Sequence, residues 1–138
     1  MTLEEEIVTK GLTAPRITPA DIEANLKGEY YFTAEQAVAA TVHQQDELTR
    51  LTGWNGELKL LTFCVLVTKN GFTVTGESAC ASPENFDAEL GRKIARGNAI
   101  DKLWPLMGYE LKTKLHEEEA KNALVAALGE DDCESCKI

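Results

Sequence analysis

With 138 residues, 43% of them hydrophobic, the chain has room for one ordinary globular domain and little more. Its formal net charge of −9 argues against a duplex nucleic-acid binder, since phosphate contacts need clustered cations. No run approaches the roughly 18 apolar residues of a membrane span, and the acidic start Met1-Thr-Leu-Glu-Glu-Glu is unlike a secretory signal, so a cytoplasmic protein is expected.

The pattern predicts an irregular acidic arm over residues 1–17, one α+β domain over 18–128 and an acidic tail over 129–138. Thr18-Pro19-Ala20-Asp21 reads as a helix start, with a capping residue and then proline at the first helical position. That helix is expected to stop near Gly28. Tyr30–Phe32 reads as a brief strand, and Thr33-x-x-Gln36 as a second helix start running toward Val42. The polar stretch His43–Gly56 reads mostly as loop.

A hairpin is the firmest expectation. Leu58–Thr68 and Phe72–Ala81 are rich in β-branched and aromatic residues, with Asn70-Gly71 between them as the centre of a type I′ turn. That turn sets Val67 opposite Val74, Val65 opposite Gly76, Phe63 opposite Ser78 and Leu61 opposite Cys80. Leu61, Phe63, Val65, Val67, Phe72 and Val74 then form the core face, while Thr62, Cys64, Leu66, Thr73, Thr75 and Glu77 form an open one. Cys64 and Cys80 fall on opposite faces, which excludes a bond between them.

Ser82-Pro83-Glu84-Asn85 predicts the start of a long helix reaching Trp104. Phe86, Leu90, Ile94, Gly97, Ile100 and Trp104 recur at helical spacing and are expected to pack on the hairpin. Pro105 should bend or end this helix, and a last one should cover about 109–128. There, Ala120, Ala123, Leu124, Ala127 and Leu128 form a small-residue stripe suited to a neighbouring helix of this chain or a sister chain.

Residues that could carry chemistry are few. Arg92 and Arg96 lie four apart on one helix face, with Lys93 beside them, and two guanidinium forks one turn apart can clamp a phosphate or pyrophosphate. A solvated face, with Glu89 pairing to Arg92 or Lys93, is the plainer alternative. Between Pro83 and Leu115 five acids face six bases, so a local anion pocket is compatible with the overall charge. Cys133 and Cys136 have metal-ligand spacing but no second pair, and His43 and His116 are not at finger-like distances, so no metal is expected. No G-x-S-x-G, Gly-rich phosphate loop or H-E-x-x-H is present. Cys64 with His43 could be written as nucleophile and base, but nothing in sequence orients them. No catalytic residue and no cofactor is assigned, and an enzyme is not expected.

The run Leu61–Arg96, with Asn70-Gly71-Phe72, Gly76-x-Ser78, Asn85-Phe86-Asp87 and Gly91-Arg92-Lys93-x-Ala95-Arg96, continues into Trp104-Pro-Leu-Met-Gly-Tyr-Glu-Leu. Together with Ile17-Thr-Pro-Ala-Asp-Ile and Tyr31-Phe-Thr-Ala, it resembles a family of small tailed-phage and prophage proteins named after minor gene products of phages N4 and Sf6. The resemblance spans roughly residues 11–115 and is poor over 43–57. More distantly, it is similar to the first type of Thoeris anti-defence proteins. These are phage sponges that sequester cyclised ADP-ribose signals, and in some cases cyclic oligonucleotides, without destroying them. The resemblance implies a homo-oligomer in the host cell that binds a small nucleotide, with Arg92 and Arg96 gripping phosphates; its remaining ligand contacts do not map onto this sequence, and Phe72 and Asn98 are assigned as further contacts beside it. The competing expectation is an acidic phage protein that occupies a host protein's nucleic-acid groove through Glu117–Glu119 or the tail.

Overall fold

The computed structural model describes residues 1–41, 47 and 56–135, with side chains described as far as Gly129. It divides into two compact units: Pro19–Trp104, and Met1–Thr18 together with Pro105–Ile138.

The first unit is α+β. Helix α2 (Pro19–Ala24) leads into β1 (Leu26–Thr33), α3 (Ala34–Ala40), a 3₁₀ turn (Gly56–Leu60), β2 (Leu61–Thr68), β3 (Thr73–Ala79) and a second 3₁₀ turn (Pro83–Asn85). The long helix α4 (Ala88–Ser135) contributes Ala88–Trp104 here. The strands make one antiparallel sheet in the order β1-β2-β3. The expected α+β class, an antiparallel sheet packed against a long helix with a short helix before it, is what the chain adopts, while the C-terminal helix expected after it is continuous with the long helix.

Several local expectations are corrected. α2 ends at Ala24 because β1 already begins at Leu26, so Gly28 sits inside a strand, beside a register shift, rather than capping a helix. Tyr30–Phe32 is the middle of an eight-residue strand. Thr33 does cap α3: its hydroxyl accepts from Gln36 N–H while Gln36 Oε1 accepts from Thr33 N–H. The stretch from Val42 to Asn55, His43 among it, lies outside the described residues apart from Glu47.

The hairpin forms, but one register step away from the expected pairing. Gly71 is at φ 89°, and no non-glycine residue among those described has positive φ, so Asn70 cannot serve in a type I′ turn. Instead Gly71 N–H donates to Thr68 O across Lys69-Asn70, and Thr68 N–H donates to Phe72 O. Asn70 Oδ1 accepts from Phe72 N–H at 3.0 Å and from the Thr68 hydroxyl at 2.6 Å. Placing the asparagine before the left-handed glycine lengthens the loop by one residue. Leu66 then faces Val74, Cys64 faces Gly76 and Thr62 faces Ser78.

The core also lies on the face of β2 opposite to the expected one, and the register step brings Val74 and Gly76 onto it. Thr62, Cys64, Leu66 and Thr68 are the buried residues of β2, whereas Leu61, Phe63, Val65 and Val67 are half-buried. The covering helix presents Gly91, Ala95, Ala99 and Leu103, one every four residues, as its buried stripe. Leu90 and Ile94, expected in that stripe, are 53% and 46% exposed, and Gly97 is exposed as well. Small residues decide the face. An added Cβ on Gly76 would sit 2.1 Å from Ala95 O and 2.3 Å from Ala99 N, so strand and helix backbones are in direct contact there. Ile22, Leu66 and Leu103 close the core, each worth about 1.5–3 kcal/mol of burial.

Cys64 and Cys80 are both free thiols, though not because they lie on opposite faces. Cys80 lies past the end of β3 and donates to Ser82 O at 3.1 Å. The 3₁₀ turn occupies Pro83–Asn85, and Asp87 is the residue that caps α4, its Oδ1 accepting from Leu90 N–H at 3.0 Å.

The second unit carries α1 (Leu3–Thr9), where an irregular arm was expected. Thr2 and Glu5 form a reciprocal capping box, and Arg16 is held by both oxygens of Glu4. Pro105 and Gly108 both lie inside α4, which continues unbroken to Ser135. Proline forfeits one helical hydrogen bond, and the fully buried Leu103 anchors the helix just before that gap. Leu124, Val125 and Leu128 are exposed on this unit. Among the described residues no helix is long and apolar enough to cross a membrane.

Candidate functional site

The register brings Glu29, Tyr31 and Thr33 of β1 onto the α4 side of the sheet, opposite Leu66, Cys64 and Thr62. Arg96 reaches across them. Its Nη1 and Nη2 donate to the two carboxylate oxygens of Glu23, at 2.9 and 2.6 Å. Its Nε donates to Glu29 Oε1, which also accepts from the Tyr31 hydroxyl. The geometry is bidentate on one side and bridged on the other, the arrangement arginine makes and lysine cannot.

The electrostatics follow from these bonds. The Arg96 hydrogen bond holds Glu23 below the usual carboxylate range, against a smaller opposing effect of burial. Glu29 is lowered first by the Tyr31 hydroxyl and then by Arg96. The bond to Glu23 raises Arg96 further. Burial, followed by the bond to Glu29, pushes the Tyr31 hydroxyl up. Two carboxylates around one guanidinium leave a formal negative charge, so the cluster repels an incoming anion. Arg96 is therefore a structural clamp in this fold, and it does not form a two-pronged fork with Arg92.

Arg92 has a different setting. It is exposed and makes no hydrogen bond or ion pair with any described residue, while Glu89 pairs with Lys93 at 4.0 Å. It borders a cavity of about 260 Å³ at the first turn of α4, walled by Ala88, Phe86, Gln36 and Thr62, with Tyr31, Phe32 and Thr33 completing it. No carboxylate is among these residues. The capping box ties up Gln36 Oε1, leaving the amide N–H₂ as a donor. Thr62 is 2% exposed, and its hydroxyl is buried without a partner among the described residues. That hydroxyl lies over Gly91, where an added Cβ would come within 3.2 Å of it. A buried polar atom left unmatched costs about 1–3 kcal/mol, so such atoms call for an explanation.

The other expected site residues do not join this cavity. Phe72 is 55% exposed at the hairpin tip, where its carbonyl accepts from Thr68 N–H. Thr62 and Thr68 are six residues apart along β2, roughly 20 Å at ~3.3 Å per residue, so Phe72 and Arg92 stand at opposite ends of the sheet. Asn98 donates its Nδ2 to Glu77 O at 2.8 Å and serves the edge of β3. Thr62 and Gln36 were not among the expected site residues. Gln36 was legible only as a helix cap, and Thr62 was assigned to the open face because the alternate positions Leu61, Phe63, Val65 and Val67 are the more hydrophobic.

Chemistry elsewhere is sparse. Burial pushes the Cys64 thiol up, which disfavours the thiolate a nucleophile needs, and His43 lies outside the described residues. Among the described residues no group of three or more His, Cys, Asp and Glu side chains is placed to hold a metal. Cys136 and the Cys133 side chain lie outside them.

Residues 17–115 match the family model described as Phage protein (N4 Gp49/phage Sf6 gene 66) family. No curated protein and no solved structure matches the chain.

Proposed function

The chain belongs to the Phage protein (N4 Gp49/phage Sf6 gene 66) family, and from that premise we propose that it binds and sequesters a small phosphate-bearing nucleotide without turning it over. One observation carries this reading: Arg92, unpaired among the described residues, borders a cavity with no carboxylate among its described lining residues, in a chain of net charge −9. A cation without an ion-pair partner among the described residues, in so acidic a protein, is suited to an anion. The aromatic walls Phe86 and Phe32 offer apolar surface for the rest of such a ligand. The finer identification, a cyclised ADP-ribose or a cyclic oligonucleotide used as a host defence signal, draws on the sequence resemblance to Thoeris anti-defence sponges. Binding by a homo-oligomer draws on the same source, and the exposed Leu124, Val125 and Leu128 are compatible with it.

Native mass spectrometry of the purified protein, before and after exposure to extracts of defence-triggered cells, tests the function. A discrete nucleotide-sized mass gain, released chemically unchanged on heating, is the expected result. No gain from an extract shown to contain the signals overturns it.

A further inference from the structure

We propose that the free edge of β3 docks an extended segment of another protein, one that alternates apolar and basic side chains and adds a fourth strand to the sheet. β3 is an edge strand in the order β1-β2-β3. At one end of its pairing Cys80 N–H donates to Leu60 O, and at the other Thr68 N–H donates to Phe72 O. The register between these ends has no shift, so the even-numbered residues of β3 are the ones hydrogen-bonded to β2. Thr73, Thr75, Glu77 and Ala79 therefore turn their N–H and C=O groups outward. Glu77 O accepts from Asn98 Nδ2 at 2.8 Å, and the other outward groups have no partner among the described residues.

The helix beside this edge is apolar and uncovered. Leu90, Ile94, Asn98 and Lys102 each precede one of the buried residues Gly91, Ala95, Ala99 and Leu103, so they form a row along one flank of the helix–sheet contact. The bond from Asn98 to Glu77 identifies that flank as the one above the β3 edge. Leu90 and Ile94 are half exposed there, and with Ala79, Cys80 and Phe86 they wall a cavity of about 120 Å³. That is well below the ~300 Å³ at which pockets for small molecules begin, and it suits one aliphatic side chain. An added strand satisfies the outward backbone groups and lays its apolar side chains on Leu90, Ile94 and this cavity. Backbone pairing with pockets for alternate side chains is how sheet edges recognise peptides.

Charge selects the occupant. Glu77 is exposed on the opposite face of the sheet, where the partner's remaining side chains fall, and a lysine or arginine across from it makes a favourable cross-strand pair. Asp87 lines the cavity and no basic residue does so among the described residues, while Lys102 stands at the far end of the row. A second copy of this chain fits less well, because it brings another net charge of −9 and a Glu77 carbonyl already held by Asn98.

A synthetic peptide alternating valine and lysine is the probe, with a peptide of the same composition arranged in two blocks as control. Calorimetry at physiological salt and amide exchange are run on wild type, Thr75→Pro and Ile94→Lys. Proline at position 75 removes an outward N–H and no bond to β2, and Ile94 is partly exposed, so both variants keep the fold. The expected result is binding of the alternating peptide, slower exchange at Thr75 and Glu77, and a loss of about tenfold in the block peptide and in each variant. Absence of binding, equal binding of the block peptide or equal binding by Thr75→Pro overturns the proposal. A dimer in sedimentation that Thr75→Pro abolishes also overturns it, by giving the edge to a second copy.

Discussion

The carbonyl oxygen of Ala95 lies 2.1 Å from where a side chain on Gly76 would begin. That separation is shorter than any real contact of a Cβ, and both neighbours, Ala95 O and Ala99 N, are backbone atoms that cannot swing aside. Gly76 is at the centre of β3, opposite the fully buried Cys64, so the strand and α4 meet through a glycine, a cysteine and two alanines.

Gly76→Ala is therefore expected to cost about 3 kcal/mol or more, at the upper end for overpacking, because helix and sheet must separate. Gly97→Ala, on the exposed side of the same helix with nothing within 4 Å, should instead stabilise by about 0.5–1 kcal/mol. Urea unfolding of the two variants beside wild type checks both signs. Equal effects would mean that the helix does not rest on Gly76.

These small residues also explain how much of the fold was legible. The hairpin strands, the place of their turn and the start of α3 followed from β-branched runs, Asn70-Gly71 and the capping pattern at Thr33, whereas α1, the end of α2 and the continuity of α4 through Pro105 did not. The buried face did not, because side-chain hydrophobicity favours Leu61, Phe63, Val65 and Val67, while the helix packs where Gly76, Ala95 and Ala99 let backbones approach. Asn70 compounded the error. Its side chain closes the loop onto Phe72 N–H and the Thr68 hydroxyl, a tertiary detail that selects a longer turn than the dipeptide alone suggests. At the site, Arg92 could be found from spacing, but the carboxylates that claim Arg96 come from α2 and β1, more than sixty residues earlier in the chain.

The two described thiols should react at different rates. Cys64 is fully buried and its thiol is pushed up by that burial, whereas Cys80 is partly exposed and donates to the Ser82 carbonyl. Thiolate character and access both govern alkylation. Iodoacetamide labelling of the native protein, read by peptide mass mapping, is expected to mark Cys80 well before Cys64. Equal labelling would mean that β2 opens readily from α4.

Thr62→Val is expected to stabilise the fold. Valine keeps the shape of the side chain and removes a hydroxyl that has no described partner, so the unliganded protein should gain about 1 kcal/mol. The melting temperature, followed by thermal melts beside wild type, then rises by several degrees for a domain of this size. An unchanged or lowered melting temperature would mean that the hydroxyl has a partner in the folded protein.

Arg96→Gln tests the clamp through its pH dependence. Glu23 and Glu29 have folded-state pKa values below the ordinary 4.5, so they bind protons less readily when folded than when unfolded. Their contribution to stability is therefore fully present above that ordinary value and is lost as pH falls through the lowered folded values. Both carboxylates are partly solvated, which screens the pairing, so the contribution is about 1 kcal/mol, low for charge-assisted bonds. Glutamine keeps a donor but removes the charge and the fork. The variant is expected to be less stable than wild type at neutral pH, with the difference shrinking as pH is lowered below the carboxylate range. Thermal melts from pH 7 downward follow that convergence. Parallel curves at every pH would show that Arg96 contributes by packing its aliphatic stem rather than by holding the two carboxylates.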